Sequence, residues 1–278
     1  MPSLLVFGLG YTTSALVARL GEGWQLTGTS RDGRAGTTAF GDEAAVRAAI
    51  AGASHILSSV PPEADADPVL DRYGAQLEAS SAWLGYLSST GVYGDTGGAW
   101  VDESAPVGGG RRTARATADS AWLALGARVF RLPGIYGPGR SPLERMAQGR
   151  AHRIDQPGQV FSRIHVDDIV SGIIAGFDAR TGAYNLADDM PASQNHVVAF
   201  AAQLLGCDPP PFVPLASLSP MARAFYAENR RVANGKAKRV LGWAPLYPDY
   251  RAGLRALSAM ISPIPVSTAP APASSDQR

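Results

Sequence analysis

The feature that most constrains this chain is the stretch 4–31, LLVFGLGYTTSALVARLGEGWQLTGTSR. Residues 4–7 form a continuous apolar run, which is typical of a parallel strand buried on both faces. The turn Gly8-Leu9-Gly10 follows at once, then a helical pattern, and then a second strand over 25–29. The stretch therefore predicts a strand, glycine turn, helix and strand in register, the context in which a G-x-G motif binds a dinucleotide.

The two glycines have separate physical roles. Gly8 permits a tight turn, whereas a side chain at Gly10 would hold the backbone away from a pyrophosphate. The backbone N–H groups of Tyr11, Thr12 and Thr13 at the helix start can then bind phosphate oxygens. Thr13 occupies the position of the third glycine of G-x-G-x-x-G, so an ordinary strand-to-helix turn remains the alternative interpretation.

The end of the second strand bears on the choice of dinucleotide. A carboxylate there would bind the ribose hydroxyls of NAD, but this chain has Ser30 and Arg31. A guanidinium and a hydroxyl suit the 2′-phosphate of NADP, and one charged hydrogen bond of roughly 1.5–3 kcal/mol would favour NADP by roughly 10- to 100-fold. Asp32 keeps NAD as an alternative, and Arg31 can also be interpreted as a solvated loop residue.

Three further positions are cofactor candidates. Asp42 can accept from the adenine amino group or cap the helix that follows it. Val60 and Pro61 come at the end of a strand predicted over 55–60, where parallel strands face a ligand.

Composition excludes several classes of function. The net charge of the 278 residues is +1, which gives no electrostatic basis for binding nucleic acid or a membrane surface. The one cysteine, Cys207, excludes an intramolecular disulfide and fits a reducing compartment. The four histidines lack metal-ligand spacing, and the start of the chain lacks the basic region of a signal peptide, so we expect no metal and a cytoplasmic location.

The order of elements predicts an α/β protein. We expect a Rossmann-type doubly wound parallel sheet, mainly within 1–150, and a smaller C-terminal α+β substrate lobe, mainly within 151–261. The proline-rich segment 262–278 is predicted to be a disordered tail. Among the helices we predict 69–84 and 223–241.

Several motifs resemble a known family. These are SSTGVYGD from Ser88, RLPGIYGPGR from Arg131 and FSRIHVDDIVSGI from Phe161. They are similar to segments of the extended short-chain dehydrogenase/reductase family, also called the NAD-dependent epimerase/dehydratase family, and in particular to an atypical, uncharacterised subgroup. The resemblance covers roughly residues 3–260. The tandem Asp167-Asp168 within the third motif is interpreted as a helix cap rather than a catalytic pair.

The resemblance implies catalytic roles that this chain fills incompletely. It assigns Ser89 as the hydroxyl that binds the substrate oxygen, but the family's Y-x-x-x-K is absent from the sequence. The window GGGRRTARATADSAW places Arg111 at the tyrosine position and Arg115 at the lysine position. Arginine stays protonated and cannot act as a base, although Arg115 can bind ribose or phosphate, and both can be exposed helix residues. Tyr93 or Tyr136 could replace the missing tyrosine.

The same resemblance extends to the rest of the cleft. It implies that Pro133, Gly134 and Ile135 contact the nicotinamide through backbone groups, and we add Ser88 to the cofactor set. Cations near the cleft would suit an anionic substrate, or they could be surface-loop residues. The candidate substrate residues are Tyr136, Arg140, Arg163 and His165.

Two functions follow from these observations. The first is an NADP-dependent oxidoreductase or epimerase/dehydratase-like protein acting on a hydroxyl or carbonyl of a small polar or sugar-like substrate. The second is a non-enzymatic NADP-binding sensor or scaffold, suggested by the missing Y-x-x-x-K. We expect a monomer or homodimer with a small-molecule substrate and neither a nucleic-acid nor a membrane partner.

Overall fold

The computed structural model describes residues 1–34, 36–63, 66–109 and 113–261. The predicted tail 262–278 and Arg111 lie outside these residues. The strands are β1 (Ser3–Phe7), β2 (Gln25–Ser30), β3 (Thr38–Ala39), β4 (His55–Ser58), β5 (Trp83–Ser89), β6 (Trp100–Val101), β7 (Arg128–Leu132), β8 (Gly134–Tyr136), β9 (Arg153–Ile154), β10 (Arg163–His165), β11 (Gly182–Asn185), β12 (Phe212–Val213) and β13 (Arg231–Val232).

Helices alternate with these strands through the first half of the chain. They are α1 (Tyr11–Leu20), α2 (Glu43–Gly52), α3 (Pro68–Glu78), α4 (Thr113–Ala124), α5 (Pro142–Ala147), α6 (Val166–Ala175), α7 (Gln194–Leu205), α8 (Pro220–Tyr226), α9 (Gly235–Leu241) and α10 (Tyr250–Ile261). Within the described parts of the chain, no helix is long and apolar enough to cross a membrane.

The central sheet is parallel and doubly wound, as predicted. Its seven strands have the order β11-β7-β5-β4-β1-β2-β3. The order reverses between β1 and β4, and in such sheets ligands bind in the crevice beyond the carboxyl ends of the strands at that reversal. The first strand, the glycine turn and the helix from the predicted unit therefore meet the crevice directly.

The apolar run of β1 is buried on both faces because successive side chains point to opposite sides of a strand. Leu4 and Val6 pack with Leu16 of α1 on one face. Leu5 and Phe7 pack on the other face, in a cluster that includes residues of α2, α3 and α4. Two helical layers thus cover the sheet, which confirms the predicted fold class.

The second half of the chain contributes to both parts of the molecule. β11 joins the central sheet beside β7, and α6 packs against α1. By contrast, α5, α7 and α10 surround a separate apolar cluster. The sheet and the smaller lobe are therefore interleaved along the sequence.

Two predicted helices are wrong in extent. The helix predicted over 69–84 ends at Glu78, and β5 begins at Trp83, because the apolar residues that continued the helical pattern are buried as a central strand. The helix predicted over 223–241 is divided into α8, β13 and α9. Its middle pairs with β6, a contact across more than 100 residues that local periodicity does not reveal.

Candidate functional site

The glycine turn is held from inside by the residue that replaces the third glycine. Gly8 has φ +82°, a conformation that favours glycine. The buried Thr13 hydroxyl donates to the Gly8 carbonyl at 2.9 Å and accepts from the Gly10 N–H at 2.8 Å. Thr13 therefore shapes the turn with its side chain, and that side chain does not point into the crevice.

The helix start beyond this turn is open to a ligand. A Cβ added at Gly10 would meet no atom within 4 Å, so the space in front of this backbone is empty. The first turn of α1 contains no acidic residue, and its N–H groups have no partners within the helix. Gly10, Tyr11 and Thr12 all line the cleft, so this end of the helix fits the pyrophosphate of a dinucleotide.

The end of β2 holds a second arginine that our sequence analysis did not single out. Arg31 has a 92% exposed side chain and lies 3.7 Å from the Glu63 carboxylate. The Arg34 guanidinium instead donates to the Leu9 carbonyl, inside the glycine turn. Ser30 accepts from the Arg34 N–H at 3.1 Å and bonds the Thr37 hydroxyl at 2.7 Å. Both arginines stand just after the strand in the sequence, so Arg34 could have been named there as a second candidate for the 2′-phosphate.

The other cofactor candidates at this end have different surroundings. The Asp42 carboxylate accepts from the Ala45 N–H at 3.1 Å, so it caps α2, as the alternative interpretation had it. Val60 lies beside the turn, because its Cγ2 would be 3.1 Å from a Cβ at Gly8. Pro61 follows at the surface, and the nearest cleft-lining residue of this segment is Ser59.

A cleft of about 480 Å³ runs from the glycine turn to the smaller lobe. Ten residues named from the sequence line it: Gly10, Tyr11, Thr12, Ser88, Ser89, Arg115, Pro133, Gly134, Ile135 and Arg140.

Ser89 lies in this cleft with one hydrogen-bonding function unused. It is half-buried at the end of β5, and its Oγ accepts from the Gly91 N–H at 3.1 Å. No described residue accepts the Ser89 hydroxyl proton, which leaves that proton for a ligand oxygen. The backbone N–H of Gly91 therefore uses an acceptor site of Ser89, and the role of Ser89 toward a substrate stays a prediction.

Arg115 brings a positive charge to the same part of the cleft. It lies on α4, and its Nη1 donates to the Tyr86 hydroxyl at 3.4 Å. The Arg115 guanidinium can therefore hold an oxygen or phosphate of a ligand, but it cannot remove a proton.

Tyr93 is not available as a replacement acid, because it belongs to a buried network away from the cleft lining. Its hydroxyl donates to Asn185 Oδ1 at 2.7 Å and accepts from Arg131 Nη1 at 3.0 Å. Burial raises the pKa of Tyr93, and the nearby Arg131 lowers it by less. Arg131 also forms a buried ion pair with Asp119, in which Nη2 lies 2.7 Å from Oδ1.

Three of the predicted substrate residues lie in a second buried cluster and do not line the cleft. Arg163 donates to the Phe161 and Ala192 carbonyls, each at 2.8 Å, so its guanidinium satisfies two backbone acceptors. Tyr136 packs edge-on against His165 with ring centroids 5.1 Å apart, and burial raises the pKa of Tyr136. The corrected substrate set therefore omits these residues because they are enclosed by the smaller lobe.

His165 also corrects the predicted start of α6. Its Nδ1 accepts from the Asp167 N–H at 3.2 Å, so His165 is the cap. The buried Asp168 carboxylate accepts from the Leu246 and Tyr247 N–H groups. Asp168 thus binds the backbone of the distant segment 246–247 to α6. Neither Asp167 nor Asp168 lines the cleft.

Arg140 is the predicted substrate residue that does line the cleft. Its guanidinium carbon lies 5.7 Å from the centre of the Tyr11 ring, and the Tyr11 hydroxyl donates to the Pro138 carbonyl at 3.0 Å. Burial raises the pKa of Tyr11, and Arg140 partly offsets that rise. The loop after β8 is therefore tied to the helix that begins the phosphate site.

Several cleft residues were not found from the sequence. Thr90, Phe161 and Ser162 lie within the quoted motifs but were not named as site residues, the others come from segments without a motif, and only the fold brings them into one cleft with Ser89. These residues are Ser59, Thr90, Val160, Phe161, Ser162, Phe225, Glu228, Arg230 and Val232. In the described part of the chain, no cluster of histidine, cysteine and acidic residues could hold a metal ion.

Comparison with known proteins supports a family but no single activity. No protein-family model matches the sequence. A curated relative, the 3-diazoavenalumate denitrifying reductase of a Streptomyces species, is 31% identical over 176 residues, which cover 55% of this chain and 58% of that protein.

Solved structures share the whole fold. The human epimerase family protein SDR39U1, solved with NADPH, is 19% identical with a TM-score of 0.73 and covers 92% of this chain and 99% of its own. A Bacillus anthracis dTDP-glucose 4,6-dehydratase, solved with NAD, is 19% identical with a TM-score of 0.73, and the match covers 94% of this chain and 96% of that one. These likenesses confirm the fold inferred from the motifs.

One solved structure is much more similar in sequence. A functionally unknown conserved protein from Silicibacter pomeroyi is 42% identical with a TM-score of 0.82, over 94% of this chain and 99% of that chain. The chain therefore belongs to the family of this conserved protein, and its fold is that of the extended short-chain dehydrogenases/reductases.

Proposed function

We propose that the protein is an NADP-dependent oxidoreductase that acts on a hydroxyl or carbonyl group of a small molecule. The observation that carries this proposal is one continuous cleft, which has an open helix N-terminus at one end and the Ser89 hydroxyl with the Arg115 guanidinium at the other. A nicotinamide dinucleotide would supply or accept a hydride when bound.

The residues of the cleft divide this work between them. Gly10 and the N–H groups of Tyr11 and Thr12 hold the pyrophosphate. The Ser89 hydroxyl would donate to the substrate oxygen, and the fixed charge of Arg115 would stabilise negative charge on that oxygen. Because Arg115 keeps its proton, water entering the open cleft delivers the proton that completes the alcohol.

The choice of NADP over NAD rests on the end of β2. Arg34 lies against the glycine turn and Arg31 stands free of the core, so two guanidiniums are within the segment that would meet a 2′-phosphate. The family fold accommodates either dinucleotide, since the human structure was solved with NADPH and the Bacillus anthracis structure with NAD.

Reduction is the favoured direction, and epimerase or dehydratase chemistry on a sugar-like substrate is its competitor. The Streptomyces relative, 31% identical over 176 residues, is by name a reductase. The lack of Y-x-x-x-K does not separate the two, because proton transfer in the family depends on this tyrosine and lysine in either reaction.

A non-enzymatic NADP sensor remains the second candidate. Within the described residues, Tyr11 is the only tyrosine lining the cleft, and its hydroxyl already donates to the Pro138 carbonyl. A sensor would bind NADPH and associate with a protein partner in its presence, without oxidising it.

Two measurements test these alternatives. Calorimetric titrations with NADPH and NADH in parallel establish binding and preference, and we expect the tighter binding for NADPH. NADPH oxidation is then followed with a panel of aldehydes, ketones and sugar nucleotides. Turnover with a carbonyl compound supports the oxidoreductase; NADPH binding without any turnover supports the sensor, and binding of neither nucleotide contradicts both.

The compartment and the assembly stay predictions. The cytoplasm is proposed from the use of a single cysteine, Cys207, and a monomer or homodimer from the size of the chain. Light scattering coupled to gel filtration measures the second point directly.

A further inference from the structure

We infer that the substrate of the proposed oxidoreductase is an aromatic carboxylate, whose ring stacks on Phe225 at the substrate end of the cleft. This inference rests on the proposed function for the role of the bound molecule as substrate. The recognition itself rests on three features of the cleft: an uncovered aromatic face, apolar surface on the wall beside it and an excess of positive charge.

The first feature is a stacked pair of rings in the cleft wall. The rings of Phe161 and Phe225 have centroids 4.4 Å apart and planes within 14° of parallel. Phe161 is 8% exposed, but Phe225 is 47% exposed although one of its faces is covered by Phe161. Its second face is therefore in contact with solvent within the cleft, where a planar ligand can cover it.

This aromatic face is held in place on its other sides. The Tyr226 ring packs edge-on against both Phe161, at 5.5 Å, and Phe225, at 6.1 Å. The Phe161 backbone pairs with Ala192 through two hydrogen bonds of 3.0 and 3.1 Å. A preorganised ring adds affinity for a planar partner because little side-chain entropy is lost on binding.

The second feature is that the adjacent wall has little to offer a sugar. Val160 and Val232 add apolar surface to the same wall. The hydroxyl of Ser162 accepts from the Val232 N–H at 2.9 Å, so it offers a ligand one proton and little more. A sugar ring placed here would have its hydroxyls facing apolar carbon, which costs hydrogen bonds to water, whereas an aromatic ring would bury apolar surface.

The third feature is the charge of the cleft. Three arginines and one glutamate line it: Arg115, Arg140, Arg230 and Glu228. Arg230 donates to the Glu228 carboxylate at 2.8 Å, so this pair is close to neutral. Arg140 lies beside Tyr11 at the phosphate end, and Arg115 is the other arginine of the lining that has no carboxylate partner among the ion pairs of the described residues. The excess of two positive charges therefore suits a carboxylate in addition to the dinucleotide.

Binding to the protein loaded with NADP⁺ tests this inference without requiring turnover. Calorimetry would compare benzoate and cinnamate with cyclohexanecarboxylate, benzamide and a sugar nucleotide. The variants are Phe225→Ala, Phe225→Tyr, which keeps the aromatic face, and Phe212→Ala. Phe212 is a matched control because it is a 52% exposed aromatic residue that does not line the cleft.

We expect the aromatic acids to bind more tightly than cyclohexanecarboxylate and benzamide. Phe225→Ala should weaken their binding by about tenfold, whereas Phe225→Tyr and Phe212→Ala leave it within about threefold of the wild type. Equal binding in wild type and Phe225→Ala, or binding of the sugar nucleotide alone, overturns the inference.

The two proposals fail in different ways. If the aromatic acids bind with this dependence on Phe225 but NADPH is never oxidised, the oxidoreductase proposal fails and the recognition of aromatic acids stands. If NADPH is oxidised only by aliphatic carbonyl compounds or sugar nucleotides, the oxidoreductase proposal stands and the aromatic inference fails.

Discussion

Ser88 and Ser89 are neighbours in β5, yet they belong to two contrasting polar regions. Ser88 is buried, and its hydroxyl donates to the Asp119 carboxylate at 2.7 Å. That carboxylate forms an ion pair with Arg131, and Arg131 donates a hydrogen bond to the Tyr93 hydroxyl. The polar groups of this closed region therefore bind one another inside the protein. Ser89 faces the open cleft, and its hydroxyl proton is not used by any described residue.

The difference separates residues that maintain the fold from residues that meet a ligand. In the closed region each polar group has a partner inside the protein, so removing one leaves another buried and unpaired. In the open region, the Ser89 hydroxyl proton has no acceptor among the described residues. Substitution in the closed region should therefore change stability, and substitution in the open region should change binding or turnover.

The largest expected effect is in the closed region. Asp119→Ala leaves the Arg131 guanidinium, only 3% exposed, without its carboxylate. Breaking a buried ion pair in this way costs about 3–5 kcal/mol of unfolding free energy, measured by urea denaturation. The control is Glu43→Ala, which removes exposed ion pairs to Arg47 and Arg72 and should shift the urea midpoint little. Similar shifts in both variants would remove the distinction between the two regions.

Gly10→Val tests the open region at its phosphate end. The backbone of Gly10 has φ −110°, which valine adopts, and an added side chain meets no protein atom near its Cβ. We therefore expect the melting temperature to stay within about 3 °C, while the side chain fills the pyrophosphate space and raises the NADPH dissociation constant by about 100-fold or more. Gly23→Val, at the far end of α1, is the matched control for helix-end effects. Unchanged NADPH binding in Gly10→Val would contradict the assignment of this helix end.

The two serines provide the direct comparison. Ser89→Ala should lower kcat by about 100-fold with NADPH affinity unchanged, because it removes a donor to the substrate oxygen. Ser88→Ala should instead lower the unfolding free energy by about 1–3 kcal/mol, because the Asp119 carboxylate loses a hydrogen bond. Steady-state kinetics and denaturation are measured on both variants. A loss of stability in Ser89→Ala together with a loss of kcat in Ser88→Ala would contradict the contrast between the two regions.

A smaller effect is expected at the cofactor's far end. Arg34→Ala should weaken NADPH binding by about tenfold and leave NADH binding unchanged, since only NADPH carries the 2′-phosphate. Arg31→Ala should have less effect, because that guanidinium is directed toward Glu63. Parallel titrations of NADPH and NADH measure both, and equal losses for the two nucleotides in Arg34→Ala would show that Arg34 acts through the turn instead.

The smallest effect concerns pH and the second buried cluster. Burial lowers the pKa of His165, with Asp167 partly offsetting this, so the folded protein holds the ring neutral. The unfolded chain binds a proton near pH 6.5, and the stability from the neutral ring is therefore complete above that pH and lost as the pH falls below it. His165→Asn keeps a helix cap and does not titrate.

Denaturation at pH 7.5, 6.5 and 5.5 measures this difference. The stability deficit of His165→Asn should shrink by about 1 kcal/mol or less per pH unit below pH 6.5. A deficit that is constant across the three pH values would mean that folding does not shift the pKa of His165.

Most of the cofactor end of the molecule could be predicted from the sequence. The β1 run, the turn Gly8-Leu9-Gly10 and α1 are contiguous, and each is determined by short-range rules of burial, backbone conformation and helix termination. Thr12 was predicted because it follows the glycine turn at the start of the helix, and it lines the cleft. Arg34 was not predicted, because only the folded turn shows that this arginine donates to the Leu9 carbonyl.

Some catalytic candidates line the cleft and others do not, because the type of a side chain does not show which residues surround it in the fold. Ser89 and Arg115 line the cleft together. Tyr93 and Tyr136 have the same functional group as the missing tyrosine, but the structure buries both away from the cleft lining. Their sequence distance from Ser89 contained no information on which direction each ring would face.

By itself the sequence determined the parallel sheet, the glycine turn before α1 and the absence of the family's tyrosine and lysine, because all three depend on neighbouring residues. Only the tertiary structure decided that Phe161, Phe225 and Arg230 line the same cleft as Ser89. These residues come from separate segments of the second half of the chain, and the packing of the smaller lobe brings them together. Such contacts form through hydrophobic burial across the whole fold, which acts between any apolar surfaces and leaves no local pattern in the sequence.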